Sequence, residues 1–130
     1  MVQVQFYLFD LANSLALEGL EVLVDGVPKI TDAYGTATFE NITQGSHSYD
    51  VRISDYYLDN ARDPFERPLA LSGTFIIEWV PDPSQPYPEE FPWINEFYFM
   101  PGAVPPPPPS TISLIPVIAI AGLLLLPKSK

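Results

Sequence analysis

Histidine and cysteine, which often act in catalysis and metal binding, are almost absent from this sequence. His47 is the only histidine among 130 residues, and cysteine is absent, which excludes disulfides, thiolate metal sites and thiol chemistry. No second histidine or cysteine is therefore available for a catalytic triad or a zinc site. His47 also falls on the apolar side of an alternating segment. We expect a core or rim histidine, and we predict no catalytic residue and no cofactor.

Carboxylates are the remaining ligand type, and four of them fall in one predicted loop: Asp55, Asp59, Asp63 and Glu66. Calcium is bound by oxygen ligands of this kind. Their spacing is not that of an EF-hand loop, however, and Arg62 and Arg67 lie among them. We predict no metal site here and interpret the segment as a solvated loop with local ion pairs. Calcium binding is the alternative.

Two further motifs could mediate modification or association. Asn41-Ile42-Thr43 is an N-glycosylation sequon in a predicted loop, so Asn41 is a candidate glycosylation site, although the asparagine also suits a turn. Tyr87, Phe91 and Trp93 belong to an aromatic cluster that is larger than one strand face can bury. For these three residues, a protein interface and packing in the core and linker remain equal alternatives.

Short β-strands are expected to position these residues. Alternating apolar and polar residues, or β-forming runs bounded by turn residues, predict strands at residues 2–8, 20–24, 27–31, 36–39, 46–54, 74–80 and 93–100. Residues 55–73 are predicted to be a long loop and residues 81–92 a proline-rich internal linker. The predicted fold class is all-β, an immunoglobulin/transthyretin-like sandwich of two sheets and about seven strands over residues 1–100.

The first half of the chain has a recurring pattern of strand and turn residues. It reads Gly19-Leu-Glu-Val-Leu-Val-Asp-Gly26, Thr31-Asp-Ala-Tyr-Gly35, Ala37-Thr-Phe39, Asn41-Ile42, Gly45 and Tyr49-Asp-Val51. This pattern resembles the transthyretin-like, carboxypeptidase-regulatory-like β-sandwich modules. The resemblance implies that Gly35 occupies a turn requiring positive φ and that Ala37 and Phe39 point inward. Such modules are mostly structural or adhesive, so no particular activity is implied.

The end of the chain has a different composition. Consecutive prolines favour polyproline II, which predicts a stalk over residues 101–111 that includes Pro105, Pro106, Pro107, Pro108 and Pro109. A hydrophobic, transmembrane anchor helix is predicted over residues 112–127, before a basic tip at residues 128–130. The anchor residues are Ile112, Leu114, Ile115, Val117, Ile118, Ile120, Leu123, Leu124, Leu125 and Leu126. A helix of this length is shorter than the roughly 30 Å hydrocarbon core, so burial in a protein partner is the alternative.

Charge separates these two parts of the chain. The net charge is −10, and residues 1–100 hold all sixteen acidic residues and four of the six basic ones, which gives them −12. Such a charge repels nucleic acid, so we predict no nucleic-acid binding by the domain. The first ten residues lack the basic and apolar regions of a signal peptide. This predicts that the domain is made in the cytoplasm and that the tail inserts afterwards.

Two functions fit this order of sandwich domain, proline stalk and membrane anchor. The first is a non-enzymatic structural protein of a virion, a membrane-anchored minor capsid or vertex protein that ties a protein shell to an internal membrane. The plan resembles the small membrane-linked capsid proteins of turreted icosahedral archaeal viruses. It implies a symmetric oligomer whose partners are other structural proteins of the assembly and the lipid membrane. The alternative is a cell-surface adhesion or envelope-layer module on a proline stalk, which would need a secretion signal.

Overall fold

The structure, a computed structural model, describes residues 1–102. These residues form nine strands: β1 Val2–Asp10, β2 Leu15–Ala16, β3 Glu21–Val24, β4 Val27–Ile30, β5 Thr36–Ile42, β6 Gly45–Arg52, β7 Tyr56–Arg62, β8 Ser72–Ile77 and β9 Trp93–Pro101. No helix forms within residues 1–102, and so none there is long and apolar enough to cross a membrane. The predicted proline run, anchor helix and basic tip lie outside the described residues.

The strands form two sheets, which confirms the prediction of an all-β, two-sheet fold. The five-stranded sheet has β1 and β9 at its centre, β7 beyond β9, and both β2 and β5 on the other side of β1. The four-stranded sheet has the order β4-β3-β6-β8. β1 and β9 run parallel, whereas the other paired strands are antiparallel. The first and last strands therefore lie side by side in the middle of one sheet.

Aromatic side chains join the two sheets across the core. The even-numbered residues of β1 are buried, as the alternation of its sequence predicts. Among them, the Phe6 ring has its centroid 5.7 to 5.8 Å from those of Phe39, Tyr49, Phe75 and Phe97. Tyr49 and Phe75 belong to the four-stranded sheet. Each such ring pair adds about 0.5–1.5 kcal/mol beyond the burial of area, so Phe6 is a main link between the layers.

The predicted loop over residues 55–73 is wrong in its first part, because β7 pairs with β9 there. A shift in register between Leu58 and Asn60 marks a β-bulge in β7. Tyr56 and Leu58 pack against the core, but the next core residue is Ala61, three positions further along the chain. The bulge thus interrupts the two-residue period by which strands are predicted. β2, only two residues long, lies between residues 2–8 and 20–24, where no strand is predicted.

The turn before β5 has the geometry that the sequence pattern implies. Asp32 Oδ1 accepts hydrogen bonds from the backbone N–H groups of Tyr34, at 2.9 Å, and Thr36, at 3.1 Å. Gly35 has a φ of 75°, and a Cβ at this position would lie 2.5 Å from the Leu8 carbonyl oxygen. Both its conformation and its surroundings therefore require glycine. Ala37 and Phe39 are buried, as expected.

The sandwich has two ends that differ in their loops. At one end β9 stops, and the N–H of Gly102 donates to the Asp55 carbonyl at 2.9 Å. We call this end, which also contains the turns at residues 10–14 and 32–35, the exit pole. The opposite end, the far pole, contains the turns at residues 25–26 and 43–44, the segment 63–68 and the loop 78–92.

Candidate interaction surface at the far pole

Tyr87 holds the loop 78–92 against the far pole. Its ring is buried, with its centroid 5.0 Å from that of Trp93, 6.0 Å from that of Trp79 and 6.2 Å from that of Phe65. Burial raises the pKa of the Tyr87 hydroxyl. Trp93 is fully buried as well. For Tyr87 and Trp93 the structure therefore favours packing in the protein's own core over a surface for a partner.

Gln44 fixes the backbone of the same loop. Its Nε2 donates to the Tyr87 carbonyl at 3.0 Å, and its Oε1 accepts from the Tyr87 N–H at 3.1 Å. One side-chain amide thus satisfies both backbone polar groups of a residue far away in the sequence. Sequence reasoning missed Gln44, because a polar residue in a turn gives no sign of a distant partner.

Phe91 is the member of the predicted interface that stays at the surface. Its side chain is 53% exposed. Its N–H donates to the Pro88 carbonyl at 3.2 Å, which closes a turn over residues 88–91. Pro88 and Pro92 restrict φ on either side, and the exposed carboxylates of Glu89 and Glu90 come just before the ring. We call residues 88–91 the Phe91 tip.

Arg67 holds the second long segment of the far pole, residues 63–68. Its Nε donates to Asp63 Oδ2 at 2.6 Å, its Nη1 to Glu78 Oε2 at 2.7 Å and its Nη2 to the Ile76 carbonyl at 3.1 Å. Burial acts to lower the pKa of the guanidinium, but the bonds to Glu78 and Asp63 outweigh burial and raise the pKa of Arg67. One side chain therefore ties the segment 63–68 to residues 76–78 at the end of β8.

The four carboxylates considered for calcium are spread along the molecule. Asp55 lies at the exit pole, whereas Asp63 lies at the far pole and accepts bonds from Arg67 and from two backbone N–H groups. Arg62 Nε donates to Glu96 Oε1 at 3.2 Å. Among residues 1–102, no three or more ligating side chains are grouped so as to hold a metal ion. The arginines of this segment make ion pairs, as the sequence predicts.

His47 links two turns of the far pole. Its Nδ1 lies 2.6 Å from Asp25 Oδ2, and its Nε2 lies 2.8 Å from the Thr43 carbonyl oxygen. Both ring nitrogens face oxygen acceptors, to which the protonated ring can donate. The hydrogen bond from His47 lowers the pKa of Asp25, as does that from the Ser48 N–H. With its side chain 11% exposed, His47 lies at the rim of the core, as predicted.

Asn41, the candidate glycosylation site, is exposed near the end of β5. Its φ is 59°, and the pairing of β5 with β1 shifts register at this point, which indicates a β-bulge. The Thr43 hydroxyl of the sequon lies 3.3 Å from His47 Nε2. The predicted loop at residues 41–45 is shorter in the structure, because β5 continues through Ile42. Glycosylation of Asn41 stays a prediction.

Comparison with known protein families, characterised proteins and solved structures finds no match to this chain. The resemblance to transthyretin-like modules therefore rests on the residues between Gly19 and Val51 alone. Within the described residues, the polar side chains of the far pole are largely bonded to one another, as in the pairs His47–Asp25 and Arg67–Asp63. In the Phe91 tip, Glu89 is paired with the N-terminal ammonium of Met1, whereas the Phe91 ring is exposed. This arrangement is suited to contact with another macromolecule.

Proposed function

We propose that the chain is a non-enzymatic structural protein, a membrane-anchored minor capsid or vertex protein that attaches a viral protein shell to an internal membrane. The observation that supports this function is the arrangement of the two poles. The chain continues from Gly102 at the exit pole toward the apolar tail, whereas the Phe91 tip is held at the far pole. A protein that lies between a membrane and a shell needs its anchor and its contact surface at opposite ends.

The charge distribution supports the same function. Residues 1–100 carry −12, which repels anionic headgroups and nucleic acid alike. The sandwich would then stand clear of the membrane surface while the tail inserts. Lys128 and Lys130 would reach the other side of the membrane, where their positive charge would be attracted to the negative charge of a packaged genome. Contacts within the shell would be made by protein surfaces of the sandwich.

Protease protection tests this proposal on membranes from cells that make the full chain with a tag at each end. The expected result is that the N-terminal tag is digested only after the cells are opened, and that the protein is present in purified particles. Ile120→Arg is the matched variant, because Ile120 lies at the middle of the predicted anchor helix, where an arginine costs about 2.5–3.5 kcal/mol. It should release the chain from carbonate-washed membranes, and a wild-type chain that does not sediment with membranes would overturn the anchor.

Protease protection also distinguishes the cell-surface alternative from the viral structural protein. Digestion of the N-terminal tag on intact cells would place the sandwich outside and favour an adhesion or envelope-layer module. The exposed sequon at Asn41 is the observation that favours this second function. A mass shift of the chain that disappears in Asn41→Gln would support it.

A further inference from the structure

The far pole carries an open apolar cavity in addition to the Phe91 tip. The cavity has a volume of about 340 Å³, and its apolar walls are Val24, Val27, Phe39 and Ile42. These residues come from both sheets, so the cavity lies where the edge of one sheet meets the edge of the other. We call it the Val27 cavity. The size is at the lower end of the range of pockets that bury a compact apolar group.

Three charged residues line this cavity, namely Lys29, Asp25 and Glu40. Lys29 lines it, and none of the ion pairs within residues 1–102 includes Lys29, whereas Arg52, Arg62 and Arg67 are each paired with carboxylates. The Phe91 tip presents the opposite combination, an exposed ring next to the exposed carboxylate of Glu90, while the neighbouring Glu89 is paired with the N-terminal ammonium of Met1. A partly exposed aromatic anchor and complementary charge are typical of protein interfaces.

We propose that the Phe91 tip of one copy of this chain inserts into the Val27 cavity of a second copy. The ring enters the apolar cavity, and Glu90 approaches Lys29. Two other carboxylates line the cavity, but Asp25 is bonded to His47, and Glu40 accepts a bond from Gln3 Nε2 at 3.0 Å. Lys29 therefore determines where the incoming carboxylate can lie.

The tip is prepared for binding before any partner arrives. Tyr87 is buried beneath it, Gln44 bonds both backbone groups of Tyr87, and the turn from Pro88 to Phe91 is closed by a backbone hydrogen bond. Fixing the tip in advance reduces the conformational entropy that is lost on association. A flexible loop of the same sequence would bind more weakly.

Strand pairing through β4 is a less favourable way to join two copies. Val24 and Val27 pair on either side of the two-residue turn at Asp25 and Gly26. The backbone N–H and C=O of Val27 point toward β3, so those of the next residue point away from the sheet. The next residue is Pro28, which has no N–H to offer to another strand. An edge strand that lacks this donor is a poor template for another strand. Insertion of a side chain into the cavity avoids the problem.

The tip and the cavity are different surfaces, so the contact is head-to-tail. Such contacts repeat from copy to copy and form a ring if the rotation closes, or an open chain if it does not. This self-association does not rest on the membrane attachment proposed above, because all its residues precede Gly102. A monomeric wild-type protein would overturn it and leave the membrane experiment unaffected.

Sedimentation of the full chain in a mild non-ionic detergent, over a series of protein concentrations, tests the contact. Phe91→Ser and Lys29→Glu should each raise the dissociation constant at least about tenfold. Tyr34→Ser is the matched control, because Tyr34 is 78% exposed at the exit pole. It should leave association unchanged. Unaltered thermal unfolding of each variant shows that the fold is intact, and equal effects of Phe91→Ser and Tyr34→Ser would overturn the proposal.

A double variant and a mixture of two single variants test the contact further. The double variant with Lys29→Glu and Glu90→Lys should regain association that Lys29→Glu alone has lost. A mixture of Phe91→Ser copies, which keep the cavity, with Lys29→Glu copies, which keep the tip, should form dimers and nothing larger. If the mixture stays monomeric under conditions in which the wild type associates, the contact is not head-to-tail and the proposal is wrong.

Discussion

The two poles of the sandwich are held by different kinds of interaction. At the exit pole, single aspartates close short turns: Asp10 accepts bonds from the N–H groups of Ala12 and Asn13, and Asp32 does the same in its own turn. At the far pole, long segments are held by side chains, namely Arg67, Gln44 and the rings of Phe65, Trp79, Tyr87 and Trp93. Short turns suffice to connect strands. The far pole maintains a shape that connection alone does not require, and the contact surface proposed above lies there.

Truncation of an aromatic ring at the far pole should lower the stability of the fold more than any change at the exit pole. Trp93→Ala removes a fully buried indole and should lower the free energy of unfolding by about 3–5 kcal/mol. Tyr34→Ala, at the exposed tip of an exit-pole turn, should change it by less than about 0.5 kcal/mol. Urea denaturation of both variants measures the two values. Similar losses for both would contradict the assignment of stability to the far-pole rings.

Removal of Arg67 should have the next largest effect. Arg67→Ala leaves the buried Asp63 carboxylate without its cation and should cost about 2 kcal/mol. Amide hydrogen exchange should become faster in residues 63–68 and 78–92 while the exit pole keeps its protection. Arg62→Ala, which breaks a more exposed ion pair, should cost less than about 0.5 kcal/mol. Faster exchange at both poles in Arg67→Ala would show that the poles are not independent.

A smaller effect is expected from the exit-pole turns. Asp32→Ala removes the acceptor for two backbone N–H groups and should cost about 1 kcal/mol. Asp32→Asn keeps an oxygen in place and should recover most of that loss. Thermal unfolding of the two variants checks this order. If Asp32→Ala is as damaging as Trp93→Ala, the exit pole contributes more than its contacts indicate.

Acid should weaken both poles, by the smallest and most gradual effect. The pKa of Asp10 is lowered chiefly by the hydrogen bond from the Asn13 side chain, and that of Asp25 chiefly by the bond from His47. Since both folded-state values lie below the ordinary value of 3.8, each carboxylate stabilises the fold above that pH. This contribution is lost as the pH falls through the lowered values.

Melting temperatures measured between neutral pH and strong acid test this dependence. Asparagine has no carboxylate that could take up a proton, so Asp10→Asn and Asp25→Asn should each reduce the drop in melting temperature on acidification. A drop as steep in both variants as in the wild type would assign the acid sensitivity to other carboxylates.

Much of the fold follows from alternation in the sequence, and the exceptions have physical causes. β1 is predicted because apolar and polar residues alternate along it, and β9 because residues 93–100 form a run rich in β-forming side chains. β7 is missed because its bulge places the next buried residue three positions on. The turn at Asp32 is predicted because glycine there supplies the required positive φ. Local rules thus succeed wherever the local pattern is regular.

The candidate surface is predicted less well, since it depends on contacts between distant residues. Aromatic composition singles out Tyr87, Phe91 and Trp93, but it cannot show that the Tyr87 ring is buried while the Phe91 ring is exposed. The proline on each side of Tyr87 is a local sign of a fixed backbone at that position. Gln44 and the cavity walls have no such sign, because they come from separate strands and turns.

The parallel pairing of β1 and β9 has a mechanical consequence. The chain leaves the sandwich at the end of β9, which is hydrogen-bonded along its length to β1 on one side and to β7 on the other. A pull on the chain beyond Gly102, away from the exit pole, acts along the axis of β9. It loads the bonds of both ladders together in shear, instead of peeling them apart one at a time. The central position of the last strand therefore suits this domain to bearing tension.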